Sequence, residues 1–244
     1  MNVTTVIFDA GLTLVRPEPS FAAVFARACA AAGVTVDADD IAAANHLWAE
    51  HHDAWRARGE PSPWEGDDAA ESRYWRGLYR RYLGHLRVEH DERLPWQVFD
   101  AFIDHRSYGT YPDVAEALDD LDRRAIRLGL LSNWGSRPAL REVLSHAGLA
   151  DRFDAVVVSG EERVAKPNPA AFDLVLQRLG ERPGAHVAYV GDDLRHDIDP
   201  ARALGLTAVL VDRQERRRHH DGPRVTDLRQ LPAVVALARR ERLG

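Results

Sequence analysis

Five short runs of β-branched and aliphatic residues punctuate the chain: Val3 to Phe8, Arg127 to Leu131, Ala155 to Val158, Val187 to Val190 and Thr207 to Val211. Each is bounded by turn or polar residues, the pattern of a short strand buried on both faces. Helical patterns separate the last four, including Ala170 to Leu179 behind Pro169 and Pro200 to Leu204 before Gly205. Strands that alternate with helices predict right-handed βαβ crossovers and a parallel sheet covered on both sides. In such a sheet, chemistry collects beyond the carboxyl ends of the strands. Polar residues stand at those ends here: Asp9 after the first run, Ser132-Asn133 after the second, and Asp192-Asp193 after the fourth.

The gap between the first and second runs is too long for a simple crossover, and its hydrophobic period is helical. Ser20 is placed to cap a helix with Phe21, Val24, Phe25 and Ala28 on one face. Asp37 opens another, in which Ile41, Trp48 and Trp55 recur at heptad spacing. A third carries Trp75, Leu78, Tyr79 and Tyr82, and a fourth carries Trp96, Phe99 and Ile103. Gly59, Pro61, Pro63 and Gly66 break the middle. The expected architecture is therefore α/β: a Rossmann-like parallel-sheet core made of residues 1–16 and 109–244, with a helical bundle of residues 17–108 inserted. Five of the six tryptophans fall in that insertion and read mainly as packing between helices. His46, His51 and His52 lie on an amphipathic helix without accompanying ligands, which favours packing over a metal cluster.

Charge narrows the class of partner. The 244 residues carry a net charge of −6, so no broad basic face is available to displace counterions from nucleic acid. The one basic cluster, Arg216-Arg217-Arg218-His219-His220, has no interleaved aromatics and reads as a solvated loop. No apolar stretch is long enough to span a bilayer. The opening run carries no basic segment or cleavage site, and the lone Cys29 cannot form an internal disulfide, so a cytoplasmic protein is expected. Of 32 basic residues only Lys166 is a lysine. A chain that uses arginine everywhere else marks this position as one where a compact point charge is needed and a guanidinium fork does not fit.

Four short segments fall at the strand ends in order: Phe8-Asp9-Ala10-Gly11-Leu12-Thr13-Leu14, Leu131-Ser132-Asn133, Lys166-Pro167-Asn168-Pro169, and Gly191-Asp192-Asp193 with Asp197. This arrangement resembles the haloacid dehalogenase superfamily along the whole chain, and the helical insertion looks like that family's small cap domain. Physical reasoning runs the same way. Asp9, Asp192, Asp193 and Asp197 converge on one crevice, where like charges need a hard divalent cation such as magnesium. Ser132 is expected at a strand-to-helix junction, where a hydroxyl and helix-terminal N–H groups form an anion site. The resemblance implies that Asp9 attacks phosphorus and forms an aspartyl-phosphate. It also implies magnesium held by Asp9, Asp192 and the Gly11 carbonyl, with Asp197 behind them. Ser132 and Lys166 then hold the phosphoryl oxygens, with Asn133 assisting. The expected partner is a small phosphorylated substrate, and the expected assembly is a monomer or homodimer.

The sequence departs from the family pattern at Gly11. Phosphatases of the superfamily usually carry a second aspartate there, which protonates the leaving group. Losing such a group typically costs about 10²–10⁴ in rate. Leu12 follows where glycine is common, and is expected to resist the backbone turn. A dehalogenase-type hydrolase places an aromatic at the Gly11 position and lacks the acidic motif that Asp192, Asp193 and Asp197 retain here. A phosphonatase needs a cap lysine, and residues 17–108 contain none. Three readings stay open: a magnesium-dependent phosphohydrolase, a dehalogenase-type hydrolase, and a non-catalytic module on the same fold.

Overall fold

A computed structural model describes residues 2–135 and 139–235. Its strands are β1 (Thr5–Phe8), β2 (Val15–Pro17), β3 (Tyr108–Thr110), β4 (Arg127–Ser132), β5 (Ala155–Val158), β6 (Val187–Gly191), β7 (Thr207–Val211) and β8 (Arg224–Val225). Six of them form one sheet in the order β5-β4-β1-β6-β7-β8, and β2 pairs with β3 in a separate two-stranded sheet. Every pairing in the large sheet is parallel. All five runs of the hydrophobic pattern are strands, and they read as continuous apolar runs because helices cover both faces. The two-residue β8 is too short to leave a pattern.

The order of the sheet fixes where chemistry can occur. β1 is flanked by β4 on one side and β6 on the other, in register from Thr5 to Phe8. The connections reverse direction there, so the carboxyl end of β1 opens a crevice bordered by the ends of β4 and β6. Those three ends carry Asp9, Ser132 and Asp192.

By contact the chain divides into two compact units. The first comprises Met1–Val15, Thr110–Asn133 and Leu149–Gly244, and the second Arg16–Gly109 with Trp134–Gly148. The core of the first packs Ile7, Leu131, Val157, Tyr189 and Leu210 against Phe172, Val175 and Leu179 of the helix Pro169–Leu179. That helix starts as its sequence requires: Asn168 accepts the Ala170 N–H, Pro169 fills the first turn, and Gly180 ends it at φ 67°.

The second unit is helical, with Phe25, Ile41, Leu78, Tyr79, Tyr82 and Val98 at its centre. Its second predicted helix is in fact two, Ala38–Ala43 and His46–Ala57. The break lets Ile41 join the Phe25 cluster while Trp55 packs with Ala70 and Tyr74. A single straight helix drifts by about 20° per heptad and does not hold Ile41, Trp48 and Trp55 on one line. Trp96 departs from the packing role: it is 41% exposed, and the Arg76 guanidinium lies 3.9 Å from its ring centre. Of the three histidines His51 is the buried one. The His51 ring pairs through Nε2 with the Tyr74 carbonyl at 2.9 Å, and burial pulls its pKa down to about 4.

Candidate active site

Lys166 is the centre of the site. Its side chain is 2% exposed, and Nζ donates to Asp9 Oδ1 at 2.8 Å, Asp197 Oδ1 at 2.6 Å and the Tyr189 hydroxyl at 2.9 Å. Three oxygens at these distances satisfy all three donors of an ammonium. Burial pushes the lysine pKa down, but the carboxylates of Asp197 and Asp9 outweigh it and hold the pKa well above its usual value.

Each partner is set by its own element. Asp9 follows β1 and its amide donates to the Val190 carbonyl at 2.9 Å, which continues the ladder to β6. Tyr189 points to the same face of β6 as Val187 and Gly191, and its hydroxyl also lies 3.1 Å from the Leu131 carbonyl on β4. Asp197 sits in a π-helical turn, Leu194–Ile198, started by Asp193, whose side chain accepts the N–H groups of Arg195 and His196. Such wide turns occur often where a side chain must be re-aimed. The Asp193 amide donates to Asp197 Oδ2 at 3.1 Å. Gly191 makes room, because a Cβ there would lie 2.4 Å from Asp197 Oδ2.

Asn133 engages the lysine through its backbone. Its Oδ1 accepts the Lys166 N–H at 2.7 Å and its Nδ2 donates to the Lys166 carbonyl at 2.8 Å. In this geometry Asn133 acts through Lys166. Ser132 ends β4 with its hydroxyl buried and, among the described residues, without a hydrogen-bond partner. Among the described residues no helix begins directly after Ser132, and the next described helix starts at Leu140. Residues 133–135 continue as irregular chain.

The carboxylates stand close enough to share a cation. Asp9, Asp192 and Asp197 each offer an oxygen, and these oxygens lie within 4.8 Å of one another. Thr13 Oγ1 lies 3.4 Å from Asp192 Oδ1. Burial raises the Asp9 pKa to about 6 despite the attraction of Lys166, with Asp197 adding to the rise. Burial, then Asp9 and Asp197, hold Asp192 well above the usual carboxylate range. Asp193 is different: its side chain is half exposed, and although its partial desolvation works the other way, bonds from His196 bring its pKa below the usual value. An all-oxygen donor set under this mutual repulsion suits magnesium, whereas zinc prefers nitrogen and sulfur.

Leu12 does not resist the turn. It adopts φ 61°, the left-handed conformation, and its amide donates to the Val15 carbonyl at 2.7 Å. The amides of Leu14 and Val15 both reach the Ala10 carbonyl, so the loop folds without glycine at position 12. For a non-glycine residue this conformation costs about 1–2 kcal/mol. Gly11 forms an isolated bridge with Val15.

The strand pattern alone does not single out Tyr189, which lies inside the run Val187 to Val190. The signal was available: it is the one aromatic in the run Val187 to Val190, two positions before Gly191. Nor does the sequence show that Asp113 anchors Arg213, or that Arg213 in turn reaches the Thr13 carbonyl 200 positions away.

Known proteins place this geometry in context. A family model described as haloacid dehalogenase-like hydrolase matches residues 3–205. A phosphoserine phosphatase of Thermus thermophilus is 35% identical over 170 residues, which cover 67% of this chain and 68% of that one. A HAD-hydrolase of Bacillus subtilis, solved bound to magnesium, aligns with a TM-score of 0.73 at 18% identity, covering 96% of this chain and 99% of the other. The L-2-haloacid dehalogenase of Xanthobacter autotrophicus, solved with chloropropionic acid covalently bound, gives 0.66 at 23% identity, covering 95% and 97%. The two solved structures share the fold. With the family model spanning most of its length, from β1 through β6, this chain belongs to the haloacid dehalogenase-like hydrolases.

Proposed function

We propose that this protein is a magnesium-dependent phosphohydrolase that works through an aspartyl-phosphate on Asp9. One observation carries the reading: Asp9, Asp192 and Asp197 bring oxygens within 4.8 Å of one another, and the Lys166 ammonium pairs with only Asp9 and Asp197, so three carboxyl groups share one crevice with a single positive charge. A divalent cation answers that deficit. The resemblance to a phosphatase at 35% identity supports the same reaction. Magnesium, held by Asp9 and Asp192 with the Gly11 carbonyl, supplies positive charge that offsets repulsion between the carboxylates and a phosphate.

The residues of the chain then divide the work. Asp9 attacks phosphorus, the bond to the leaving oxygen breaks, and the phosphoryl group is left on the carboxylate. Water attacks the aspartyl-phosphate, releasing inorganic phosphate and restoring Asp9. Lys166 holds Asp9 in place at 2.8 Å and adds positive charge where the phosphoryl oxygens gather. The buried Ser132 hydroxyl gains its missing acceptor from a phosphoryl oxygen. An unsatisfied buried group of this kind otherwise costs about 1–3 kcal/mol. Asp197, engaged by Lys166, Tyr189 and the Asp193 amide, orients the lysine.

Magnesium binding to the folded state raises Tm, as any ligand specific for that state does. Asp192→Asn removes most of the rise, measured by calorimetry at millimolar magnesium. A chain that binds no magnesium under those conditions removes the basis of the reading.

The crowding also has a pH signature in the metal-free protein. The folded pKa of Asp9, about 6 against 3.8 in the unfolded chain, means that the ionised form destabilises the fold. That cost is full above pH 6 and gone below pH 3.8. Asp9→Asn therefore stabilises the metal-free protein at pH 8, by up to about 3 kcal/mol. The difference from the natural chain shrinks to nothing as pH falls to 4, as followed by urea unfolding with a chelator present.

Lys166→Arg, mild at most positions, removes most turnover while the protein stays folded. Three oxygens within 2.9 Å of a fully buried Nζ leave no room for a planar guanidinium. Natural turnover in that variant, with an unchanged circular dichroism spectrum, sinks the role given to the lysine.

Gly11 determines which phosphates react. No side chain from Ala10 to Leu14 is a competent acid, and the Thr13 hydroxyl already faces Asp192. Rate therefore depends steeply on leaving-group pKa. With magnesium, acetyl phosphate and p-nitrophenyl phosphate are hydrolysed, glycerol phosphate reacts far more slowly, and 2-chloropropionate is inert. Gly11→Asp accelerates the alkyl substrate most, by up to about 10²-fold. Equal rates on alkyl and aryl phosphates in the natural protein refute the absence of a general acid, and turnover of 2-chloropropionate alone favours the dehalogenase-type reading.

A further inference from the structure

The loop that carries Asp9 is held from outside. Arg213, two residues beyond β7, has a side chain only 14% exposed. Its Nη1 donates to both oxygens of Asp113, at 3.0 and 2.9 Å, and its guanidinium lies 3.8 Å from the ring centre of Tyr111. Asp113 is itself buried and also accepts the Leu228 N–H at 2.6 Å. A planar fork locked on one edge by a buried carboxylate can aim its other nitrogen in only one direction. Here Nη2 donates to the Thr13 carbonyl at 2.7 Å.

Thr13 directly follows the strained residue. Leu12 holds φ 61° while the residue is 50% exposed, so its own packing contributes little to keeping it there. Strained conformations persist where the surroundings over-determine them. We propose that Arg213 is a positioning residue that keeps Leu12 in its left-handed turn by gripping the Thr13 carbonyl, and so sets where Asp9 stands relative to Asp192. The catalytic consequence rests on Asp9 being the nucleophile, as read above; the grip on the loop does not.

Deleting the side chain strands the buried Asp113 carboxylate and endangers the fold. Arg213→Lys keeps a cation beside Asp113 but cannot span Asp113 and Thr13 together, and Arg213→Gln serves as a second, neutral variant. Amide hydrogen exchange at Leu12, Leu14 and Val15 speeds up by about tenfold or more in both. On p-nitrophenyl phosphate with magnesium, kcat falls by about 10–100-fold while KM stays within about threefold. Glycine enters the left-handed region freely, so adding Leu12→Gly to either variant restores most of the lost kcat. It does so by a larger factor than it changes the Arg213 protein, a coupling that mere loss of stability does not produce.

Unchanged exchange in both variants, or an equal effect of Leu12→Gly in both backgrounds, overturns the proposal. The loop then stands on its own bonds to Ala10 and Val15. A natural chain without phosphate turnover defeats the phosphohydrolase reading instead, and amide exchange alone then decides the role of Arg213.

Discussion

Placing one ammonium out of water, among carboxylates, is the condition that organises this active site. Removing an isolated charge from water costs several kcal/mol, and only close, well-aimed partners recover it. The architecture around Lys166 supplies those partners from four directions. Asn133 grips its backbone from the end of β4. Asp9 approaches from β1, Tyr189 from the body of β6, and Asp197 from the wide turn that follows. Elsewhere the chain relies on arginine, whose flat fork suits exposed pairs such as Arg106 with Asp104 or Arg229 with Asp227. Inside the crevice the partners surround a point, and a fork has no equivalent arrangement.

The same crevice concentrates unfavourable terms. Two carboxyl groups are held above their usual pKa, one hydroxyl is buried without a partner among the described residues, and one leucine sits in a conformation usually left to glycine. The surrounding structure contains them. β1 is paired on both sides, and beneath it Ile7, Leu131 and Tyr189 are sealed by the helix Pro169–Leu179. Proteins commonly carry such local costs where binding or chemistry later relieves them. A phosphate and a divalent cation match these particular costs, since one supplies an acceptor and the other supplies charge.

What the sequence disclosed depended on how local the signal was. Five strands were legible because each is a contiguous apolar run between turn residues, and Asp9, Ser132 and Asp192 followed from sheet geometry alone. Lys166 stood out through composition. The break between Ala43 and His46 was hidden because heptad spacing looks the same in one helix or two. The helix placed directly after Ser132 was an extrapolation from other strand-to-helix junctions, and here irregular chain intervenes. The turn at Leu12 contradicts residue preference, and the bonds around it, within the loop and from Arg213 to the Thr13 carbonyl 200 positions away, leave no mark in the local sequence. Tyr189 was invisible as a polar residue because periodicity assigns it to the core, and it is indeed buried there. Its hydroxyl meets partners that are distant in sequence, among them a lysine 23 positions earlier.

Gly191 brings these themes to a single atom. Every amino acid except glycine carries a β-carbon, and at this position it would meet the Asp197 carboxylate well inside van der Waals contact. The neighbouring group is a short, buried acid already tied to Lys166, Tyr189 and Asp193, so it has nowhere to retreat. A mutation here therefore acts at a distance from its own chemistry: it introduces no charge and removes no donor, yet it shifts the acid that orients the lysine. In a mutational survey of this chain, the most exacting requirement in the acidic turn would then belong to the residue with no side chain at all.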